Sequence, residues 1–279
     1  MEQEAVPMSD KLHHLYSIVV ELVAMESGKP PATLGRAIHA LVLRWLQLGN
    51  PDVAERIHAS QMSPLSLSGL MGHRRSKQTQ PGDSFLFRIG LLDEGLIQPL
   101  LLGLTKWENQ PVVLGKFPFV WTRSLMMPES HPLADCSAYE TLVNAPSLGG
   151  NIQLNFNSPT SFKQQQGIQN FPLPDLVFGS LHRRWNSFAP PGLHFPEINW
   201  QGWVSAYELK THALRLEGGA EIGAQGWIRY RFSDAEQARI AAILARFAFF
   251  AGVGRKTTMG MGQTELIVKE KPKPKKKQR

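Results

Sequence analysis

The sequence predicts an α+β fold in which the element order βαββαβ occurs twice. Two observations carry this prediction. Short apolar or alternating runs typical of strands are interleaved with two amphipathic helices in the first half, and the second half repeats the plan. The order βαββαβ defines the ferredoxin-like (RRM-like) arrangement. We therefore expect tandem ferredoxin-like domains at 1–125 and 139–268, a linker over 126–138, and a disordered basic tail over 269–279.

In the first half, the β-branched run 17–23 predicts a buried strand, and apolar side chains at helical spacing predict a helix over 33–48. Gly49 follows as a C-terminal cap. Asn50 and Pro51 then suit the N-cap and first position of a short helix. The remaining predicted elements of this half are the short helix 51–58, strands 64–70 and 84–92, a helix at 93–104, and a strand at 110–120.

The second half repeats this plan after a proline-containing connection. A capping box at Ser233-Asp234-Ala235-Glu236 opens a strongly apolar helix that runs to Phe250. The other predicted elements are a strand at 152–157, a hairpin end at 161–167, a helix within 173–188, strands at 202–211 and 224–232, and a closing strand at 264–268.

Composition excludes several classes of protein. Apolar residues make up 42% of the 279 residues, which is enough for real cores, and the single Cys136 excludes a disulfide scaffold and a thiolate zinc site. No apolar run reaches the roughly 18 residues of a membrane span. The acidic start does not resemble a signal peptide, so we expect a cytoplasmic protein with no membrane partner.

The formal net charge of +7 is concentrated at one end of the chain. Seven of the 30 Lys and Arg residues lie in 269–279 with one acidic residue, so the rest of the chain carries a net charge of only +1. Binding of a polyanion must therefore be argued from particular residues of the folded part, since the average charge says little.

A glycine-rich segment near the C-terminus is the sharpest local feature. Its four glycines enclose a basic, hydroxyl-bearing centre, and the residues are Gly252, Gly254, Arg255, Lys256, Thr257, Thr258, Gly260 and Gly262. Glycine allows close approach of a ligand, and exposed backbone N–H groups in such a turn bind anions, which suits a phosphodiester. The spacing fits neither a P-loop nor a dinucleotide fingerprint. The alternative is a helix C-cap followed by a turn into a strand.

The run 246–262 closely resembles the signature of the CRISPR-associated repeat-processing endoribonucleases, the Cas-six family. That signature is Gly-x-Gly-x5-Gly-x-Gly, and every glycine is present here. Two further stretches, 156–163 and 57–69, are also similar to that family. The resemblance covers nearly the whole chain except the tail. It implies an endoribonuclease that cuts CRISPR precursor RNA within its repeats.

The sequence contains no cluster with metal-ligand spacing, so we expect no metal and no cofactor. RNA can instead be cleaved by its own 2′-hydroxyl, given groups that transfer protons and cations that stabilise charge on phosphorus. Histidine suits either proton role. The resemblance implies a catalytic role for His58, which also ends the short helix 51–58. Arg36 and His39 lie off the apolar face of helix 33–48 and could reach the same phosphate, or form a solvated polar face.

Outside the glycine-rich segment, further basic residues are candidates for holding the RNA: Lys163, Arg183, Arg184, Arg229 and Arg231. The expected partner is CRISPR repeat RNA, together with other subunits of a CRISPR effector complex. The alternative to an enzyme is a non-catalytic RNA-binding subunit of such a complex, because the same fold and glycine loop serve both functions.

Overall fold

The computed structural model describes residues 12–31, 34–72, 78–216 and 219–268. The predicted disordered tail at 269–279 and the first predicted helical residue, Thr33, lie outside these ranges. No helix in the described ranges is both long enough and apolar enough to cross a bilayer.

The first sheet is built by the N-terminal half of the chain. Its described strands are β1 His14–Ala24, β2 Leu65–Leu67, β3 Met71–Gly72, β4 Ser84–Leu91, β5 Val112–Leu114, β6 Phe117–Leu125 and β7 Asp135–Ala138. The helices are α1 Gly35–Gly49, α2 Pro51–Ala59 and α3 Ile97–Trp107. The strand order is β2-β4-β1-β6-β5, with β3 on β4 and β7 on β1, and all pairs are antiparallel.

The second sheet has the same plan. Its elements are α4 Tyr139–Val143, β8 Asn151–Thr160, β9 Phe162–Gln164, β10 Gly167–Gln169, α5 Pro174–Phe188, β11 Gly202–Leu216, β12 Gly219–Phe232, α6 Ala235–Ala251 and β13 Thr264–Leu266. The strand order is β11-β12-β8-β13, while β9 and β10 form a separate hairpin. Counted within each half, the four principal strands follow the order second, third, first, fourth. The tandem ferredoxin-like prediction is confirmed.

Each sheet has its own apolar core on its helical side. Trp45 of α1 stacks on Phe87 of β4 in the first core, with ring centroids 6.1 Å apart. In the second core, Trp185 of α5 meets Phe247 of α6 edge to face. These buried rings explain why the apolar spacing of the predicted helices was a good guide to their inward faces.

Four details of caps, turns and the linker differ from the sequence-based predictions, and the first concerns Gly49. This glycine is the last residue of α1 and not a cap beyond it, since Asn50 takes the C-cap position. A Cβ at Gly49 would lie 1.8 Å from the carbonyl oxygen of Pro99, so the glycine permits the close crossing of α1 and α3. Asn50 also caps α2, as predicted, by accepting hydrogen bonds from the N–H groups of Asp52 and Val53.

The other three differences concern ends and turns. The single strand expected at 110–120 is the hairpin β5–β6, because Gly115 and Lys116 adopt positive φ angles of 55° and 73°. The expected linker is partly sheet, since β7 pairs with the first residues of β1. Helix α6 is capped by Asp234, whose carboxylate accepts from the N–H of Gln237 at 2.7 Å, and not by Ser233.

The two halves pack directly on one another. A Cβ at Gly90 of β4 would lie 2.2 Å from the carbonyl oxygen of Phe250, so the end of α6 rests on the backbone of the first sheet. Ser17 and Val19 face that side of β1 and are fully buried. The glycine-rich segment, which starts where α6 ends, therefore emerges at the junction of the halves.

Candidate functional site

The glycine segment, defined here as residues 252–262, is a tightly closed loop at this junction. Its four glycines have φ angles between 67° and 93°, a region that side-chain-bearing residues rarely adopt. The N–H of Val253 donates to the carbonyl of Gly262 at 2.8 Å and closes the neck of the loop. A Cβ at Gly262 would lie only 2.1 Å from the carbonyl oxygen of Val253. The glycines are thus required by the fold of the loop itself.

Both halves of the molecule hold the glycine segment. From the C-terminal half, Ser180 accepts from the N–H of Gly254 at 3.1 Å, and the Ser161 carbonyl accepts from the N–H of Arg255 at 2.9 Å. From the N-terminal half, the N–H of Leu67 donates to the carbonyl of Thr257 at 2.8 Å. Backbone donors at 254 and 255 are therefore used inside the protein, unlike in the open anion-binding turn that the sequence suggested.

Burial divides the predicted contacts of the segment into two groups. Gly252, Thr257, Gly260 and Gly262 are buried. They shape the segment from inside, and direct contact of these four residues with RNA stays an untested prediction. The partly exposed group is Gly254, Arg255, Lys256 and Thr258.

The two cations of the segment share one carboxylate. Arg255 Nη1 lies 3.0 Å from one oxygen of Glu221, at the start of β12, and Lys256 Nζ bonds the other oxygen. The hydrogen bond from Lys256 is the main cause that lowers the pKa of the Glu221 carboxyl. The Arg255 side chain is 27% exposed and the Lys256 side chain 34% exposed, so an anion approaching from solvent would compete with Glu221 for them.

Two buried arginines brace the segment. Arg88 of β4 donates to the side-chain oxygen of Gln263, with Nε at 2.9 Å, and to the carbonyl of Phe249 in the last turn of α6. Arg184 of α5 donates to the hydroxyl of Thr257 at 2.6 Å. Arg184 is only 6% exposed. Its guanidinium faces the interior, and contact of Arg184 with RNA stays an untested prediction.

Helix α1 begins directly beneath the segment. A Cβ at Gly35 would lie 2.3 Å from the carbonyl oxygen of Met259, so the first turn of α1 packs on the segment's backbone. His39 lies one turn further along α1, on the same face as Gly35. Side chains of a helix lean toward its N-terminus, which directs His39 toward the segment. Arg36 is exposed on the first turn of the same helix.

His39 and His58 interact electrostatically. Burial lowers the pKa of His39 first, and the neighbouring His58 lowers it further. His58 is exposed near the end of α2. It borders an open groove of about 560 Å³ between α1 and α2, which the sequence did not predict; the other lining residues are Ala40, Leu43, Arg44, Gln47, Pro51, Ala54 and Glu55. The structure thus brings together the two histidines that the sequence singled out.

The remaining predicted RNA contacts lie on three surfaces. Lys163 is exposed on β9, next to Phe162, whose ring borders Gly254. Arg183 is exposed on α5. Arg229 and Arg231 lie on the outer face of the second sheet, where each guanidinium sits over a tryptophan.

The tryptophan partners were missed by the sequence analysis. Trp227 lies 5.8 Å from the Arg229 guanidinium, and Trp203 lies 5.9 Å from that of Arg231. Trp227, Arg229 and Arg231 alternate along β12 with buried residues, so a two-residue period would have placed them on one face. Trp203 joins them only through the cross-strand register, which no local pattern reveals.

No group of three or more His, Cys, Asp or Glu side chains within the described ranges is arranged to hold a metal ion. The candidate site therefore consists of two neighbouring histidines on α1 and α2, an exposed arginine, and the basic centre of the glycine segment.

Two ferredoxin-like halves, with a glycine-rich segment packed at their junction, place this chain in the class of tandem ferredoxin-like proteins. Comparison with known proteins shows which family within this class the chain belongs to. The family model for the CRISPR Cas6 N-terminal domain matches residues 14–144, and that for the CRISPR-associated endoribonuclease Cas6 matches residues 154–264. The chain belongs to the Cas6 family of CRISPR-associated endoribonucleases.

Individual relatives agree with this assignment. A CRISPR-associated endoribonuclease Cas6 from Mycobacterium tuberculosis is 25% identical, over 96% of this chain and 83% of its own length. A Cas6 product complex is 30% identical with a TM-score of 0.71, covering 91% of this chain and 100% of that one. A Thermus thermophilus Cas6 structure is 26% identical with a TM-score of 0.69, covering 92% and 100% of the two chains.

Proposed function

We propose that this protein cleaves CRISPR precursor RNA within its repeats, without a metal ion, and so produces mature guide RNAs. The 2′-hydroxyl of the RNA attacks the adjacent phosphorus, and the bond to the 5′-oxygen breaks. The products carry a 2′,3′-cyclic phosphate and a 5′-hydroxyl. His39 and His58 transfer the two protons.

One observation carries this proposal. Helix α1 places His39 one turn from Gly35, whose backbone contacts the glycine segment at Met259, and His58 is close enough to shift the titration of His39. A phosphate held against the segment would therefore lie beside two imidazoles. A histidine was also the residue replaced by alanine in one of the similar solved Cas6 structures.

The surroundings of the two histidines suggest different roles. Burial and the charge of His58 lower the pKa of His39, so its imidazole is neutral at pH 7 and can accept the proton of the 2′-hydroxyl. His58 is exposed beside it and, when protonated, donates to the departing 5′-oxygen. Arg36, on the first turn of α1 and three residues before His39, supplies positive charge for the phosphorane-like transition state.

The RNA strand is held by cations around this centre. Arg255 and Lys256 exchange Glu221 for phosphate oxygens, while Lys163 and Arg183 extend the basic surface on the same half. Arg229 and Arg231, each stacked on a tryptophan, offer flat surfaces on which unpaired bases can stack. Other subunits of a CRISPR effector complex are proposed partners for the protein with its product.

The test is cleavage of end-labelled repeat RNA in EDTA under single-turnover conditions. We expect cleavage by the wild-type protein, and a loss of roughly 100-fold or more in the rate constant for His39→Ala and for His58→Ala, the range typical of a proton-transfer group. His212→Ala, an exposed histidine on β11, is the matched control and should cleave normally.

Other results would contradict the proposal in distinct ways. RNA binding without cleavage by the wild-type protein would favour the non-catalytic subunit. A strict requirement for magnesium would contradict the metal-free mechanism. Full activity of both histidine variants would show that His39 and His58 do not transfer protons in the reaction.

A further inference from the structure

Arg184 is a buried cation whose acceptors are all neutral. Its guanidinium donates to the Thr257 hydroxyl at 2.6 Å and to the backbone carbonyls of Ser63 and Leu65, each at 3.1 Å. Burial lowers its pKa to about 10, so it remains charged at neutral pH. Burying a charge is costly unless the surrounding groups compensate for it. The position of these acceptors in the chain suggests what the buried charge does.

The three acceptors belong to two different parts of the proposed site. Thr257 is the centre of the glycine segment. Ser63 and Leu65 lie just after α2, the helix that presents His58. Arg184 itself comes from α5, in the other half of the molecule, so one side chain ties the segment to the connection that follows the histidine helix.

Hydrogen bonds hold the connection that follows α2. The Ser60 hydroxyl donates to the Met62 carbonyl at 2.6 Å, and the N–H of Leu65 donates to the Ser63 hydroxyl at 3.2 Å. The N–H of Leu92 donates to the carbonyl of Pro64 at 2.9 Å, which fixes the connection to the first sheet. A displacement at Ser63 and Leu65 would therefore be passed on to the end of α2.

We propose that Arg184 is a positioning residue for RNA cleavage, which sets the glycine segment in register with the His58-bearing helix. This inference rests on the proposed function. A guanidinium suits the task because its planar fork bonds several acceptors at fixed angles, whereas an ammonium is a compact point charge that does not fix them in this way. Misplacement of reacting groups by about 1 Å can cost on the order of 100-fold in rate.

The test compares Arg184→Met, Arg184→Lys and Thr257→Val with the wild-type protein in single-turnover cleavage. Enzyme is in excess over repeat RNA, each assay runs well below the variant's own melting midpoint, and the dissociation constant for RNA is measured separately. Arg246→Met is the matched control, because Arg246 also donates to backbone carbonyls, those of Ala242 and Pro146, away from the segment.

We expect each Arg184 variant, and Thr257→Val, to lower the cleavage rate constant at saturating enzyme by roughly 10- to 100-fold. The dissociation constant should change by less than about threefold, because the surface cations remain in place. A purely structural role would lower the fraction of folded enzyme and so raise the total enzyme concentration needed to saturate the RNA, while leaving the rate constant at saturating enzyme unchanged. Arg246→Met should retain the wild-type rate constant.

Two results would overturn the inference. One is a rate constant within twofold of wild type in the variants that fold; if Arg184→Met and Arg184→Lys do not fold, Thr257→Val alone decides. The other is a loss confined to the dissociation constant, which would make Arg184 an indirect binding determinant. Failure of the proposed function is distinguishable, because then the wild-type protein does not cleave, or His39→Ala and His58→Ala cleave normally.

Discussion

His39 is half-buried on α1, and two causes lower the pKa of its imidazole: burial, and the charge of His58. Neither cause is a property of histidine alone. A histidine on a fully solvated face of the same helix would titrate near 6.5. Burial and the neighbouring His58 therefore favour the neutral form of this imidazole.

We predict that the imidazole of His39 titrates below pH 6.5 in the wild-type protein. Replacing His58 by alanine removes a positive neighbour, so the His39 midpoint should move upward toward that value. Titration of the imidazole resonances by NMR measures both midpoints without depending on catalysis. His212→Ala should leave the His39 midpoint unchanged. A wild-type midpoint at or above 6.5, or no response to His58→Ala, would contradict the neutral-base role.

A glycine lies at each end of helix α1, where the backbone of another segment passes close to the helix. Gly35 admits the carbonyl of Met259 at its start, and Gly49 admits that of Pro99 at its end. Gly103 of α3 makes the reciprocal contact, with a Cβ that would lie 1.8 Å from the Trp45 carbonyl oxygen. These close crossings fix the position of α1, and with it that of His39.

We predict opposite effects for two glycine-to-alanine changes in helices. Gly49→Ala should lower the free energy of unfolding by about 2 kcal/mol or more, because its Cβ would collide with backbone that cannot move aside easily. Gly179→Ala in α5 should raise it by about 0.5–1 kcal/mol, since only the end of Arg183 is nearby and alanine favours a helix. Urea unfolding of both variants measures the difference; equal effects would show that α1 and α3 separate at little cost.

Buried polar groups hold the two halves together. Arg88 on the first sheet binds Phe249 and Gln263, which stand on either side of the glycine segment. Gln263 in turn donates to the carbonyl of Leu67 on β2 at 3.1 Å. The carbonyl end of α6 carries partial negative charge, which stabilises the buried guanidinium there. Through these bonds the stability of the molecule and the placement of the segment are linked.

We predict that Arg88→Met lowers the free energy of unfolding by about 3 kcal/mol, since it leaves the buried oxygens of Gln263 and Phe249 without their charged donor. Arg123→Met is the matched control: Arg123 forms a solvent-exposed ion pair with Glu21, and its loss should change stability little. Unfolding in urea, followed by tryptophan fluorescence, gives both values. Similar losses for the two arginines would argue against a central role for Arg88.

The spacing of apolar residues predicted helices and strands correctly wherever one face of the element is buried. The spacing of Ile38, Val42 and Trp45 predicted α1, and β-branched residues predicted β1, because burial of an apolar face selects those periods. Ends and turns were less predictable. Asp234 and Ser233 are both residue types that cap helices well, so the sequence alone does not decide between them. The hairpin at Gly115 depends on positive φ angles, which the spacing of apolar residues does not predict.

The candidate site was only partly predictable for the same reason. The glycine spacing and the histidines are visible in the sequence, and with the family signature they indicate an RNA-cleaving protein. The roles within that set are not visible. Arg184 looks like a surface cation by composition, yet the packing of α5 against the segment buries it. The pairing of Arg255 and Lys256 with Glu221 joins residues over 30 positions apart.

The sequence alone was thus sufficient to predict two βαββαβ repeats, and the histidine and basic side chains that could act on a phosphodiester. It could not say which cations face water, which histidine is desolvated, or how the halves meet. Those properties depend on contacts between residues far apart in the chain, such as Arg88 with Gln263 and Gly35 with Met259. Burial and hydrogen bonding at these contacts exist only once both sheets have formed and packed together.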